Sequence, residues 1–600
     1  MKKIICILLI FSLFLLLISC GSKDKVPVDA PEDSPSVDTS FSENSDDMFT
    51  DRDKDTSPVE DGSIRIELTG NSARCGSDSV RINGTTVIIS GGATYLLTGT
   101  LTEGKIVVAA SDTDKPTLIL DGVSITNSSE CALYVKSCDK VFLNLKENTA
   151  NYIGSNGTLT PIEDENTDGA VYSKSDLTIS GLGTLEVVSV SGHGIVCKDD
   201  LVITGGQLNV SAASHAIDAN DSARLTAASL TLKAGKDGIH AENSLDTALG
   251  FVFIENGNLN IDAAGDGISA SSYMNIKDGS FNIVSGGGRT SASSSGSDRY
   301  GSFPGGGMGG MFGSSDTSSN DTDSTSTKGI KSEGTLLIEG GSFALDCADD
   351  TLHSNLSVSI KDGEFTITTA DDGIHADETL EISGGKINVT ESYEGLEALN
   401  ISISGGNIKI VADDDGINAS GGNDGSGFGG MHGDDMFGGG GFGGGGPGGR
   451  PRTATGGTSD GSINISGGTI YINASGDGID ANGSLAISGG HTTVCGPISG
   501  DTAVLDYDNR ASITGGTFIG TGSYMMAQSF SESGQGVIAI SVRNQSAGTL
   551  ITLTDSDGNT VFDLEPMLPF AIVILSSPDM IKGEEYTITV GSASGTFTAQ

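Results

Sequence analysis

Short alternations of apolar and polar residues recur along most of the chain, and pairs of glycines interrupt them. One motif reads apolar-x-apolar-Ser/Thr-Gly-Gly-x-apolar-x-apolar, as at 380–389 and 401–410. A second motif, Asp-Gly-Ile-x-Ala, stands between copies of the first, as at 372–376. Alternation with a period of two predicts β-strands that are buried on one face. The glycine pairs predict tight turns, because glycine adopts the positive φ that such turns need.

Copies of the second motif follow one another at a nearly constant spacing. Its second position falls at 329, 351, 373, 395 and 416, so the spacings are 22, 22, 22 and 21 residues. Two spacings of 62 residues, from 267 to 329 and from 416 to 478, equal 22 + 40. A fixed period of this length indicates a solenoid. Two insertions, at about 285–327 and 421–460, therefore interrupt one regular array.

Three short strands and three turns fit into each repeat, which we call a rung. The sequence predicts an all-β fold, a right-handed parallel β-helix with about 22 residues and three strands per rung, over 62–534. Residues 535–600 lack the glycine pairs and are predicted to form an antiparallel β cap.

The alternation also predicts which side chains face the core. Within 372–376, Ile374 and Ala376 should point inward and His375 outward. Leu352 and Leu396 occupy the same position one repeat away and should stack on the buried pair.

The first twenty residues have the pattern of an export signal. Two lysines precede an apolar run over 4–18, which ends in Leu17-Ile18-Ser19-Cys20. This pattern predicts a signal peptide over 1–19 and, because the tetrapeptide resembles a bacterial lipobox, a lipid on Cys20. An ordinary cleaved signal is the alternative. Residues 20–61 are too acidic to bury a core and are predicted to be a lipidated tether. We expect an exported, surface-exposed lipoprotein of the cell membrane or outer membrane.

The net charge of the chain limits the kinds of partner that it is expected to bind. The chain has 78 Asp and Glu against 32 Lys and Arg, a net charge of −46. We therefore expect no nucleic-acid partner, since nucleic-acid binding requires basic surfaces.

The acids concentrate at the corners of the four rungs between the insertions. Stacked carboxylates repel one another unless a hard cation neutralises them, so we expect Ca²⁺ in this column. The alternative is that these acids are solvent-exposed turn residues. The candidate ligands are Asp349, Asp350, Asp371, Asp372, Glu394, Asp413, Asp414 and Asp415.

Beside the acids, the variable residue of the second motif forms an outward polar column. It is either an ordinary solvent face or a strip that binds an extended sugar chain. The candidate sugar-binding residues are Lys331, His353, His375, Glu397 and Asn418. The insertions carry spaced aromatic residues, such as Tyr300 and Phe442, and are either flaps over a polysaccharide or low-complexity padding.

Several segments resemble a bacterial carbohydrate-binding β-helix family described from plant-cell-wall degraders. They are Val107–Asp112, Leu118–Asn127, Ala132–Ser137, Leu177–Gly181, Gly192–Ile195 and Ser576–Tyr586. The resemblance covers roughly 62–600. It implies a fold similar to calcium-dependent pectate lyases, binding of cellulose-like or acidic, pectin-like polysaccharides, and bound calcium. It assigns no individual ligand residue.

The predicted function is that of a lipid-anchored surface protein that binds a plant-type or acidic polysaccharide together with calcium. A calcium-dependent polysaccharide (pectate-type) lyase and a surface adhesin or structural rod are the alternatives. Lyase chemistry needs a base as well as a cation. Because the corners of the four acidic rungs contain no Lys or Arg, an enzyme is the weaker hypothesis and we assign no catalytic residue.

Overall fold

The computed structural model of the protein describes residues 48–163, 165–291, 326–420, 461–498 and 502–600. Regular structure in these ranges is β-strand apart from a short helical turn at 289–291, so the all-β prediction is confirmed. No helix in the described ranges is long and apolar enough to cross a membrane. The predicted signal peptide, Cys20 and the aromatic residues Tyr300 and Phe442 lie outside the described residues.

Residues one repeat apart lie side by side on neighbouring parallel strands. Ile374 lies between Leu352 and Leu396, and His375 lies between His353 and Glu397. Hydrogen bonds connect 45 strands of the described chain into one large mixed sheet. Within it, each strand of the array pairs with strands of the preceding and following rungs, which gives three stacks of parallel strands.

Stack 1 contains the strands of the Gly-Ile-x-Ala motif. They are Thr86–Ile89, Lys105–Ala109, Leu133–Ser137, Gly169–Ser173, His193–Cys197, Ile217–Ala219, Ile239–Ala241, Ile268–Ala270, Ile330–Ser332, Leu352–Ser354, the beginnings of Ile374–Ile382 and Leu396–Ile403, Ile417–Ala419, Ile479–Ala481 and Leu505–Tyr507.

Stack 2 precedes the glycine pair. Its strands are Ile64–Gly70, Thr94–Leu101, Thr117–Asn127, Lys140–Leu145, Asp176–Gly181, Asp200–Ile203, Ser222–Leu225, Phe251–Ile254, Met274–Ile276, Leu336–Ile338, Ser357–Ile360, the ends of Ile374–Ile382 and Leu396–Ile403, Ser462–Ile465, Ser484–Cys495, Arg510–Gly522 and Glu532–Ser533.

Stack 3 follows the glycine pair. The last residues of three long strands, Thr117–Asn127, Ser484–Cys495 and Arg510–Gly522, belong to it. Its other strands are Ala150–Ser155, Thr184–Ser189, Gln207–Ala212, Ala228–Ala234, Gly257–Ala263, Ser280–Ser285, Ser342–Cys347, Glu364–Thr369, Lys386–Ser392, Asn407–Ala412 and Thr469–Ala474.

The remaining strands are antiparallel and lie near the two ends of the described chain. Ala73–Arg74 pairs with Ile64–Gly70, and Val80–Asn83 pairs with Thr86–Ile89. Phe570–Ser576 pairs with both Arg510–Gly522 and Val537–Gln545. A separate four-stranded sheet contains Ile551–Thr554, Thr560–Leu564, Glu585–Val590 and Ala593–Thr598.

The inward positions form columns of apolar side chains. Ile374 and Ala376 are fully buried, as predicted. In stack 3, Phe281, Phe343 and Phe365 stack face to face, with ring centroids 4.6 and 4.5 Å apart. Each such side chain stabilises the folded state by about 1.5–3 kcal/mol when it is fully buried. The stability of the core is therefore the sum of many equivalent contributions.

The glycine pairs are needed because successive turns touch. A Cβ on Gly405 would lie 2.1 Å from the carbonyl oxygen of Ser383 in the preceding rung. The second glycine of the pair, Gly406, has a φ of 90° and so occupies the left-handed region. The first glycine therefore permits close approach and the second permits the turn.

Residues 48–61, which were predicted to be part of the tether, lie against the outer face of stack 2. Phe49 packs on Phe253, and the Arg52 guanidinium lies 4.0 Å from the centroid of the Phe142 ring. Asp53 is 2% exposed and lies 2.8 Å from the Lys140 ammonium. The low hydrophobicity of this segment concealed these few specific contacts.

Candidate functional site

One corner of the array, between stacks 3 and 1, carries a column of titratable side chains one repeat apart. We call this column the corner ladder; its members are Asp237, Asp266, Lys328, Asp350, Asp372, Glu394, Asp415 and Asp477.

Carboxylates of the corner ladder bind the backbone of the next rung. An oxygen of Asp237 accepts a hydrogen bond from the Asp266 backbone N–H at 2.8 Å. The Asp350 carboxylate accepts the N–H of Asp372 at 3.1 Å. These acids are therefore not exposed turn residues: Asp350, Asp372 and Asp415 are 0, 3 and 6% exposed.

A second column lies three residues after the corner ladder, on the outer face of stack 1. We call it the face column; it includes His240, Ser269, Lys331, His353, His375, Glu397, Asn418 and Asp480. Its side chains point away from the apolar core, as the alternation predicted.

The expectation of an exposed strip is corrected for three of the five predicted sugar-binding residues. His375 is 0% exposed, and His353 and Asn418 are each 7% exposed. Side chains on adjacent rungs cover one another, since the rings of His353 and His375 stack with centroids 5.0 Å apart. Lys331 and Glu397 are partly exposed.

Lys328 neutralises the first acidic rung. Its ammonium lies 2.9 Å from Asp349 Oδ1 and 2.7 Å from Asp350 Oδ2. His353 Nδ1 lies 2.9 Å from the same Asp350 oxygen. Although burial opposes ionisation, the Lys328 charge and the His353 hydrogen bond hold the pKa of Asp350 well below its usual value. Two predicted calcium ligands, Asp349 and Asp350, therefore already have a cation.

On the next rung, His375 is the basic side chain that lies among the carboxylates. Its Nδ1 lies 2.7 Å from Glu397 Oε2 and 3.3 Å from Asp372 Oδ2, and its Nε2 lies 3.2 Å from Asp377 Oδ1. Burial alone would lower the pKa of His375, but these three carboxylates raise it well above its usual value. The three carboxylates thus favour the charged form of His375, and ligand atoms of Asp372, His375 and Glu397 lie within 4.8 Å of one another.

Arg289, at the start of the first insertion, reaches across to the acidic rungs. Its guanidinium lies 2.9 Å from Glu391 Oε1 and 3.0 Å from Asp413 Oδ2, and it donates to the Thr369 carbonyl at 2.9 Å. The sequence pattern predicted no basic residue at these corners. Arg289 was missed because it lies 124 residues from Asp413, and Lys328 was missed although its position in the repeat was visible.

The rungs on either side of the second insertion bring three further acids together. Carboxylate oxygens of Asp415, Asp477 and Asp480 lie within 4.8 Å of one another. Burial and the neighbouring carboxylates of Asp477 and Asp414 raise the pKa of Asp415 to about 9. Asp477 and Asp480 were not among the predicted ligands, because the insertion separates them from Asp415 in sequence.

Asn418 adds a neutral oxygen beside these acids. Its Nδ2 donates to Glu394 Oε2 of the preceding rung at 3.0 Å. Its Oδ1 is buried and has no hydrogen-bond partner. Asn418 is the paired neighbour of Asp480 on the following rung. Three carboxylates and a buried amide oxygen are the donors that a hard cation prefers.

The other predicted ligands are near these groups. Asp371 has a carboxylate oxygen within 4.8 Å of oxygens of Asp349 and Asp350. Burial and the carboxylates of Glu397 and Asp415 raise the pKa of Glu394 well above its usual value. Asp414 interacts with Tyr393, an exposed aromatic residue that the sequence analysis did not single out.

A comparison with known protein families matches part of the array. Residues 83–373 match the model of a family described as carbohydrate-binding domain-containing protein. This segment therefore matches a carbohydrate-binding domain family. The match ends before Asp415, so it does not include the cluster of Asp415, Asp477 and Asp480.

One curated relative and one solved structure are similar to parts of the chain. A carbohydrate-binding domain-containing protein of Acetivibrio thermocellus is 30% identical over 165 residues, which cover 26% of this chain and 56% of the relative. The chain thus spans little more than half the length of that relative. The polysaccharide lyase-like protein from C. thermocellum, in a gadolinium derivative, is 29% identical with a TM-score of 0.35, over 36% of this chain and 89% of that chain.

Proposed function

We propose that this protein is an exported, lipid-anchored surface protein that binds plant-type or acidic polysaccharide with the help of calcium. The observation that carries the proposal is the match of residues 83–373 to a carbohydrate-binding domain family. The same proposal includes the finer fold, a right-handed parallel β-helix of about 22 residues and three strands per rung. The pairing of residues 22 positions apart, such as Ile374 with Leu352, supports it.

Calcium would bind between Asp415, Asp477, Asp480 and Asn418 Oδ1. The fit rests on the donor set, which is all oxygen, and on the buried Asn418 oxygen that lacks a partner. The predicted ligands Asp349, Asp350, Asp372 and Asp413 fit less well, because Lys328, His375 and Arg289 provide their positive charge.

The sugar would bind beside this cation, on the exposed corner near Tyr393. Tyr393 is 49% exposed, and an aromatic ring offers an apolar face together with a polar hydroxyl. Because the chain carries a charge of −46, an acidic polysaccharide needs a bridging cation to approach it. Lys331 and Glu397, the two partly exposed residues of the face column, complete the proposed surface.

Polysaccharide binding is tested by co-sedimentation of the protein with insoluble pectin-like and cellulose-like polymers, with calcium or with a chelator. We expect retention on the acidic polymer that chelation weakens. Tyr393→Ala should reduce retention, whereas Tyr524→Ala, which removes another exposed tyrosine elsewhere, should not. Failure to bind any glycan would refute the proposal and favour an adhesin with a protein partner.

The calcium site is tested separately by thermal unfolding. Calcium should raise the melting temperature, because it binds the folded array and not the unfolded chain. Asp480→Asn and Asn418→Ala should abolish this shift. Asp377→Asn, which changes an acid of the His375 cluster, should retain it. An unchanged melting temperature in the wild-type protein would exclude the site.

Two further measurements test the remaining parts of the proposal. Incubation with polygalacturonate, followed by ultraviolet absorbance of unsaturated uronate, should give no product. Product formation would favour the calcium-dependent lyase instead. Cys20→Ala should release the protein from detergent-extracted membranes into the soluble fraction, and unchanged partitioning would argue against lipid attachment.

A further inference from the structure

A cavity of about 600 Å³ lies beside the end of strand Arg510–Gly522. Gly522 pairs with Ile572, and Gln545 pairs with Phe570, so three strands meet at the wall of the cavity. Its volume is within the range of about 300–1,000 Å³ that is usual for sites that bind small ligands. It is therefore large enough to hold one or two sugar rings or a ligand of similar size.

Exposed apolar side chains concentrate at this cavity. Twelve large apolar side chains are exposed in the described chain, and four of them line it. They are Ile498, Tyr524, Met525 and Met526, which are 54, 56, 64 and 48% exposed. Exposed apolar residues that are scattered singly need no explanation, whereas a group of them in one cavity indicates a binding surface.

Hydrogen bonds hold these side chains at the cavity. The backbone N–H of Ser523 donates to the Pro497 carbonyl oxygen at 2.7 Å, which brings Ile498, the next residue, close to Tyr524. The Ser523 hydroxyl accepts the backbone N–H of Met525 at 3.3 Å. The backbone therefore builds the apolar wall before any ligand binds.

The cavity is uncharged, although the chain is strongly acidic. None of its eleven described lining residues is Asp, Glu, Lys, Arg or His, whereas the whole chain has a net charge of −46. An anionic ligand would find no cation there and would be repelled by the rest of the protein. The amides of Asn544 and Gln545 and the hydroxyl of Tyr524 instead offer neutral donors and acceptors. These groups suit a neutral ligand with hydroxyl or carbonyl oxygens.

The apolar lining indicates what else the ligand carries. The Tyr524 ring offers a flat apolar surface on which a sugar ring can lie. One face of a sugar does not cover Ile498, Met525 and Met526 as well, because the rim of an unsubstituted sugar carries hydroxyl groups. Methionine side chains adapt their shape to small apolar groups. A small apolar substituent on the sugar, such as the methyl group of an ester, would fill this space.

We propose that this cavity binds a neutral sugar unit that carries an ester group, such as a methyl-esterified uronate. Esterification removes the charge of the uronate and adds a methyl group, and both changes suit an uncharged, apolar cavity. The inference rests on the proposed function for the choice of a polysaccharide as ligand, but it assigns a second site that needs no cation. Acidic units bind at the proposed calcium site near Tyr393, and esterified units bind at the cavity near Tyr524.

The test is isothermal titration of the full chain with three oligosaccharides of equal length: an oligogalacturonide, its methyl ester and a neutral galacto-oligosaccharide. A chelator is present, because it removes the calcium that the acidic form is proposed to need. We expect the methyl ester to bind and the free acid not to bind. The neutral oligosaccharide should bind more weakly than the ester, by about four-fold for each methyl group that the cavity buries. Absence of ester binding, or equal affinity for the ester and either other oligosaccharide, would overturn the proposal.

Variants of the exposed lining locate the site. Tyr524→Ala should weaken ester binding by about ten-fold, because it removes the aromatic platform. Met525→Gln should remove the preference for the ester over the neutral oligosaccharide, because it replaces an apolar group by a polar one of similar size. Tyr393→Ala is the matched control, since Tyr393 is exposed but does not line the cavity. Unchanged ester affinity in Tyr524→Ala would contradict the proposed site.

The two proposals fail in different ways. Loss of calcium-dependent retention on the acidic polymer, with ester binding intact, would refute the calcium site and leave the cavity site. Retention on the acidic polymer without ester binding would refute the cavity site alone. Methyl NMR of isotope-labelled methionine gives an independent readout, since the ester should shift the signals of Met525 and Met526. The signal of Met274, which is 1% exposed and lies in the core, should not move, and unshifted signals of Met525 and Met526 would overturn the proposal.

Discussion

The Lys328 ammonium lies 2.7 Å from Asp350 Oδ2, on the adjacent rung, and Asp350 is 0% exposed. A lysine at one position of the corner ladder thus neutralises an aspartate at the next. Burial alone would lower the pKa of Lys328, but Asp350 and Asp349 raise it well above its usual value. The array contains its own cation at a place where the sequence indicated a metal ion.

Removal of this lysine should strongly destabilise the array. Lys328→Met leaves the buried Asp350 carboxylate without its main cation, which costs about 3–5 kcal/mol for a buried pair. Urea unfolding of the two proteins measures the difference. Lys386→Met is the control, since Lys386 and its partner Glu364 are 64 and 60% exposed, and its cost should stay below about 1 kcal/mol. Equal losses in the two variants would show that the Lys328 pair contributes no more than a surface pair.

The fold was more predictable from the sequence than the site. Apolar alternation and the 22-residue spacing identified the strands and the buried positions of Ile374 and Ala376, because these depend on local periodicity. Arg289 could not be found in this way, since it contacts Asp413 across 124 residues. The burial of His375 was also missed, because it depends on side chains of adjacent rungs and not on alternation within one strand.

The close contact between turns predicts that Gly405→Ala is destabilising. The new Cβ would lie 2.1 Å from the Ser383 carbonyl oxygen, and backbone must move to relieve the clash. Overpacking of this kind costs about 1–3 kcal/mol. Gly76→Ala provides the comparison, because a Cβ there meets no atom within 4 Å. A melting temperature for Gly405→Ala equal to that of Gly76→Ala would mean that the rungs separate more easily than the structure indicates.

Asp53 should make the free energy of unfolding depend on pH in the acid range. Burial raises its pKa, but hydrogen bonds from Lys140, Thr178 and Thr50 outweigh this effect and lower it to about 2. A carboxylate with a depressed folded-state pKa stabilises the protein above its unfolded-state pKa and loses that contribution as pH falls. Asp53→Asn should therefore cost about 2 kcal/mol near neutral pH. The difference should shrink between about pH 4 and pH 2.

The control for this titration is Asp51→Asn, because Asp51 is exposed and close in sequence. Its unfolding free energy should follow that of the wild-type protein at each pH. A deficit in Asp53→Asn that stays constant down to the lowest pH would show that packing, and not charge, accounts for the effect.

Arg289, at the start of the first insertion, should affect both the stability of the protein and the rise in melting temperature that calcium produces. Arg289→Gln removes the positive charge between Glu391 and Asp413, which are 49 and 65% exposed. Because exposed ion pairs are weak, we expect a loss of about 1 kcal/mol at low salt that decreases as salt screens the released acids. The two unpaired carboxylates should also attract calcium, so calcium should raise the melting temperature more in this variant than in the wild-type protein. Arg510→Gln, whose partner Glu532 is 3.9 Å away and exposed, should change neither quantity. An identical calcium response in Arg289→Gln and the wild-type protein would show that Arg289 does not occupy a position that a cation can take.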